Sequence, residues 1–174
     1  MRNDDADGPK NRARSEPPST DFRTEQDARD ELDWSVRLFV YQFLVQRDRP
    51  PTPDETATAL GISVEQAREA YKRLHRRHAV FLEPGTLDVR MAHPFSAHPT
   101  PFRVHAAGHA YYANCAWDML GIPAALHADA QIEAVYADTG EPAQCSVVDG
   151  HVHGSGVISF ALPFRRWYDD LIFT

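Results

Sequence analysis

Residues 1–28 are polar and charged, with Pro9, Pro17 and Pro18 and no recurring apolar position, so they are expected to form a disordered tail. The pattern changes near Asp30. Leu32, Val36, Phe39, Val40, Phe43 and Leu44 recur at three- and four-residue spacing, which predicts one buried helix face. Arg47-Asp48-Arg49-Pro50-Pro51 ends that helix. Thr52, with Pro53 next and Glu55 three residues on, reads as the capping box of a second helix that stops at Gly61. Ser63 and Gln66 repeat the device for a third helix, whose inner face would be Val64, Ala67, Tyr71 and Leu74. Two strand-like pieces follow, 79–82 and 86–90, joined by Glu83-Pro84-Gly85. Trp34, Phe39, Phe43 and Tyr71 are the expected aromatic core of this unit.

Beyond Arg90 the chain is first Pro-punctuated, from His93 to Phe102, and reads as an ordered connecting loop. A hairpin around Gly108 is expected from 102–106 and 110–112. A short helix should start at Asn114 and end before Gly121-Ile122-Pro123. Strands are expected at 130–135, 144–148 and 156–162, separated by Asp138-Thr139-Gly140-Glu141-Pro142 and by Asp149-Gly150. Arg165 to Asp170 reads as one helical turn and Leu171–Thr174 as a strand. That last apolar run stops abruptly, so the chain is expected to be a fragment of a longer protein. No internal repeat is visible. The fold class is therefore α+β. A winged helix-turn-helix-like domain at 29–90 precedes a small, mostly antiparallel sheet domain with short helices at 91–174.

Composition narrows the function classes. The 174 residues are 43% hydrophobic and 25% charged, with a net charge of −7. That balance disfavours broad binding to nucleic acid or anionic membranes. The third helix does hold Arg68, Lys72, Arg73, Arg76 and Arg77, so a winged-helix DNA-binding regulator that senses a thiophilic metal through Cys115 is a second class to weigh. No run approaches the roughly 18 apolar residues of a membrane span, and no secretory signal opens the sequence, so a cytoplasmic location is expected. Two cysteines are too few for a disulfide scaffold.

Each thiol then needs its own account. Asn114 would cap the short helix and put Cys115 at its first position, where unpaired N–H groups and the helix dipole favour a thiolate. Asp118, three residues on, shares its face. A thiol beside a carboxylate, one of them protonated, can deliver a proton to a leaving group. Equally, Cys115 can be a buried structural residue with Asp118 on a solvated face. Cys145, in a strand, reads as an ordinary buried or half-buried residue. His151 and His153 share one side of a possible strand, but two ligands do not make a zinc site. His93, His98, His105 and His109 have no spacing that pairs them with Cys115, and His93 and Phe95 are expected to shape the loop over it.

Taken together, three stretches resemble the alkylmercury (organomercurial) lyase family: Arg90-Met91-Ala92-His93-Pro94-Phe95, then Pro99-Thr100-Pro101-Phe102-Arg103-Val104, then Tyr112-Ala113-Asn114-Cys115-Ala116-Trp117-Asp118-Met119-Leu120-Gly121-Ile122-Pro123. Ala137 to Pro142 is similar too, and the likeness runs over about 30–174. Its most specific part is Cys-x-x-Asp followed by Leu-Gly-Ile-Pro. The resemblance implies protonolysis of a carbon–mercury bond. Cys115 would be the mercury-binding nucleophile, and Asp118 the proton relay and a possible contact to the substrate mercury. No resident cofactor is implied; the partners are an organomercurial and cellular thiols that remove the product. The family's second catalytic cysteine falls after a Pro-x-x-x-Trp stretch, where this chain ends, and Cys145 is not at that position. A family member that has lost catalysis is therefore a further alternative.

Overall fold

The structure, a computed structural model, describes residues 25–160 and 162–167. The expected strand at Leu171–Thr174 and most of the expected tail lie outside those residues.

Helix α1 (Glu25–Arg47) starts earlier than the expected Asp30. Glu25 and Asp27 face the positive end of the dipole, and Arg29–Glu25 and Gln26–Asp30 contacts at i,i+4 brace the first turn. Its buried stripe is Asp33, Val36, Val40 and Leu44. Both predicted capping boxes form: Thr52–Glu55 on α2 (Pro53–Leu60) and Ser63–Gln66 on α3 (Val64–Arg76). Gly61 ends α2 in the left-handed region, with φ 64°. Tyr71 is fully buried, and its hydroxyl meets Thr56 Oγ1 at 2.8 Å and donates to the Pro51 carbonyl at 3.1 Å. Trp34 is not core. It is 65% exposed, with the Arg37 guanidinium over its ring, because the buried stripe runs through Asp33 instead. Asp33 is held by Arg73 through a bidentate pair at 2.7–3.1 Å. Arg77 reaches Asp30 at 2.7 Å, so two of the basic side chains of the α3 region are committed to α1.

Eight strands follow: β1 (Phe81–Leu82), β2 (Val89–Ala92), β3 (Phe95–Ser96), β4 (Arg103–Ala106), β5 (His109–Ala113), β6 (Ala130–Val135), β7 (Pro142–Val148) and β8 (His151–His153). All neighbours are antiparallel, in the order β1-β2-β3-β5-β4-β6-β7-β8. The expected wing, β1 and β2, is thus one end of this sheet. The Pro-rich loop contributes β3 to it. Asp149 and Gly150, both at positive φ, make the turn of the β7–β8 hairpin. His151 and His153 stand exposed on β8, and no metal-binding cluster occurs among the described residues.

The expected strand at 156–162 is absent from its described residues. Gly154 packs so close to Cys145 that an added Cβ would sit 2.7 Å from the Cys145 Cβ, and Tyr136 Oη donates to the Ser155 carbonyl. The chain there lies over Cys145 and Tyr136 instead of pairing along an edge. A 3₁₀ turn spans Phe164–Arg166; the helical turn expected at 165–170 lies partly outside the described residues.

One hydrophobic core joins helices and sheet, from Val36, Val40 and Tyr71 to Phe95, Val104, Ile122 and Ile132. Tyr111 on β5 donates to the Val45 carbonyl of α1, tying the strand that leads to Cys115 onto the helical layer. No helix among the described residues is long and apolar enough to cross a membrane.

Helix α4 (Asp118–Leu126) packs on β4 and β5 and carries Pro123 inside it, so Gly121-Ile122-Pro123 does not end it. Gly121 instead permits contact with the β2–β3 turn: a Cβ there would lie 3.0 Å from the Pro94 Cβ and 3.4 Å from its Cγ. Gly121→Val should therefore push α4 off Pro94 and lower stability by about 1–3 kcal/mol. Chemical denaturation of the purified variant measures this; a midpoint equal to wild type would show that α4 does not need the close approach.

Candidate functional site

Strand β5 ends at Ala113, and four residues, Asn114–Trp117, carry the chain into α4. Thr100 Oγ1 donates to the Ala113 carbonyl at 2.6 Å, which clamps the Pro99-Thr100-Pro101 loop to this junction. The helix begins at Asp118, not Asn114. Trp117 holds the cap position without a side-chain bond, and the Cys115 carbonyl accepts from Met119 N at 3.2 Å. Cys115 thus sits in the turn before the helix.

The expected pair does meet. Cys115 Sγ donates to Asp118 Oδ2 at 3.3 Å. Asp118 is 4% exposed and Cys115 half-buried. Burial pushes the Cys115 thiol up to about 11 from an ordinary 9.0, and the charge and hydrogen bond of Asp118 push the same way. Backbone N–H groups of Asp118 and Trp117 pull it down and are outweighed. The lowered thiol expected from a helix start is therefore reversed: the sulfur lies one turn too early to receive the full dipole, and the carboxylate lies against it. Burial and Asp118 together favour the thiol over the thiolate at neutral pH.

The carboxylate has a second partner that spacing did not assign. His93 Nδ1 lies 3.1 Å from Asp118 Oδ1. His93 follows β2 and presents its ring edge-on to Phe81 at 5.9 Å between centroids. Twenty-five residues separate it from Asp118. The Met91-Ala92-His93-Pro94 stretch in the motif was the only sequence signal. The other histidines go elsewhere: His98 to Glu83, His105 to Glu133 at 3.2 Å and His109 to Asp48 at 3.0 Å.

A cleft of about 490 Å³ opens on Cys115. Phe102, Trp117, Ile158, Phe160 and Trp167 make its apolar wall; Arg90, Ser96 and His98 lie on the polar side. Phe160 stacks on Trp167 at 4.8 Å, and Trp117 meets Phe160 at 6.1 Å. Trp117 is 56% exposed, so it is cleft wall and not core. Cys145 lines a neighbouring cavity of about 440 Å³ that shares Phe102, Ala116, Ala137, Ile158 and Ser159 with the first. Burial raises its thiol too.

The family model described as alkylmercury lyase, MerB, matches residues 95–170, so the resemblance carried by the Cys115 motif holds over that segment. No curated protein matches the chain. Among solved structures, the mercury-bound form of MerB2 is similar at 24% identity and a TM-score of 0.57, covering 72% of this chain and 63% of that one. The likeness shows a shared fold of helices and an antiparallel sheet. The present chain spans less than two thirds of the length of that protein.

Alkylation of Cys115 by iodoacetamide, followed against pH in a Cys145→Ser background, should rise about tenfold per pH unit towards a midpoint near 11. Asp118→Asn should move that midpoint down, because the carboxylate's charge and hydrogen bond both raise it. A wild-type midpoint at or below 8 would contradict this electrostatic picture.

Proposed function

We propose that this protein is an organomercurial lyase-like protein that captures an organomercurial on Cys115 and protonates the carbon of its carbon–mercury bond. The observation that carries the reading is the 3.3 Å contact between a protonated thiol that lines a cleft with an aromatic wall and a buried carboxylate behind it. Mercury is soft and binds thiolate in preference to oxygen or nitrogen donors. A metal that takes a thiolate must release its proton, and here an acceptor already holds that proton's hydrogen bond.

A mercurial enters as R–Hg–SR′, carried by a cellular thiol. The Cys115 sulfur bonds to mercury, and its proton passes to Asp118. Asp118 returns the proton to the carbon of R. The electron pair of the carbon–mercury bond becomes the new C–H bond, and RH departs. Mercuric ion is left between the Cys115 and R′S thiolates, with Asp118 at hand as an oxygen contact. Excess thiol then removes it. The metal arrives with the substrate, so no resident cofactor is required. The aromatic wall of Trp117, Phe160 and Trp167 suits the apolar group R.

Incubated with phenylmercury and excess thiol, the protein should release benzene, and Cys115→Ser should reduce that release to the rate of buffer and thiol alone. Gas chromatography of the headspace measures it. Undiminished benzene from the folded serine variant would sink the proposal.

A further inference from the structure

We propose that His93 is the positioning residue that orients Asp118 for proton transfer, an inference that rests on the lyase reading above. A carboxylate turns easily about its last torsion, whose preference is broad and roughly two-fold. Its two oxygens are therefore not placed by the side chain's own rotamer. Here Oδ1 faces His93 Nδ1 at 3.1 Å and Oδ2 faces Cys115 Sγ at 3.3 Å. The first contact needs its proton on Nδ1, whether the ring is neutral or charged. With Oδ1 so engaged, the remaining oxygen points at the thiol.

The frame around this chain of contacts is rigid. His93 is braced by Phe81, itself fully buried. The next residue, Pro94, lies under Gly121 of α4, the helix whose first residue is Asp118. The β2–β3 turn thus fixes both ends of the hydrogen bond: it carries His93 and docks the helix that carries Asp118. Asp118 is buried and His93 half-exposed, so the bond also gives the buried carboxylate a fixed partner on its outer side. The segment matched by the lyase family model starts at residue 95 and does not include His93.

Two variants separate a positioning role from bulk packing. His93→Asn keeps a side-chain N–H at the place of Nδ1, the same number of bonds from Cα. His93→Phe keeps a ring against Phe81 and removes the donor. Full-length protein is mixed with one equivalent of phenylmercury, and mercury capture and benzene release are followed separately. Once mercury is bound, His93→Phe should release benzene at least about tenfold more slowly than wild type; His93→Asn should recover to within about threefold. Wild-type release from His93→Phe, or equal slowness in both variants at matched melting temperature, overturns the inference. Should wild-type protein release no benzene, the lyase reading fails and alkylation of Cys115 in a Cys145→Ser background decides. Freed from Asp118, the thiol of His93→Phe should alkylate severalfold faster at pH 8, with the rate restored in His93→Asn; identical rates in all three overturn it.

Discussion

A thiol held against a carboxylate in a partly dry site is the interaction on which the account depends. Neither group is unusual alone. Together, at 3.3 Å, they cannot both carry charge cheaply, and the thiol keeps its proton. The consequence runs against the common picture of a reactive cysteine, in which a lowered pKa supplies a standing thiolate. Cys115 instead keeps its proton beside an acceptor. In the proposed function such a site favours a thiophilic metal over weak electrophiles and brings the proton for cleavage along with the capturing atom.

The fold serves that contact through two junctions. The β5–α4 turn sets the Cys115–Asp118 spacing, and the β2–β3 turn docks against α4 through Pro94 and Gly121 while holding His93 to Asp118. The helical layer reaches the first junction through Tyr111 and Val45. Helices and sheet share one core, so a disturbance in α1 or α3 can reach the site by packing.

Local devices were readable in the sequence because their causes lie within a few residues. Both capping boxes, the hairpin turn at Asp149-Gly150 and the β6 interval 130–135 follow from neighbours in the chain. The Cys115–Asp118 pair was readable for the same reason, since three residues separate its members. What was not legible depends on distant partners. His93 meets Asp118 across 25 residues. Trp34 is exposed because Arg73 draws Asp33, 40 residues before it, inward. The 156–162 run alternates as a strand should, yet Tyr136 lies against its first residue, Gly156, and Cys145 against Gly154 just before it. The sign of the Cys115 shift was missed because burial, a tertiary property, outweighs the local N–H groups. The Leu-Gly-Ile-Pro motif was read as a helix stop, although Gly121 is there for contact with Pro94.

The central claim is that a carbon–mercury bond is broken by a proton held on the sulfur–carboxylate pair. The most direct measurement is mass spectrometry of the benzene released from phenylmercury by the protein in D₂O with excess thiol. Both donors exchange with solvent, so the account predicts singly deuterated benzene. Undeuterated benzene, which requires hydrogen abstraction from carbon, or the appearance of diphenylmercury in its place, would contradict it.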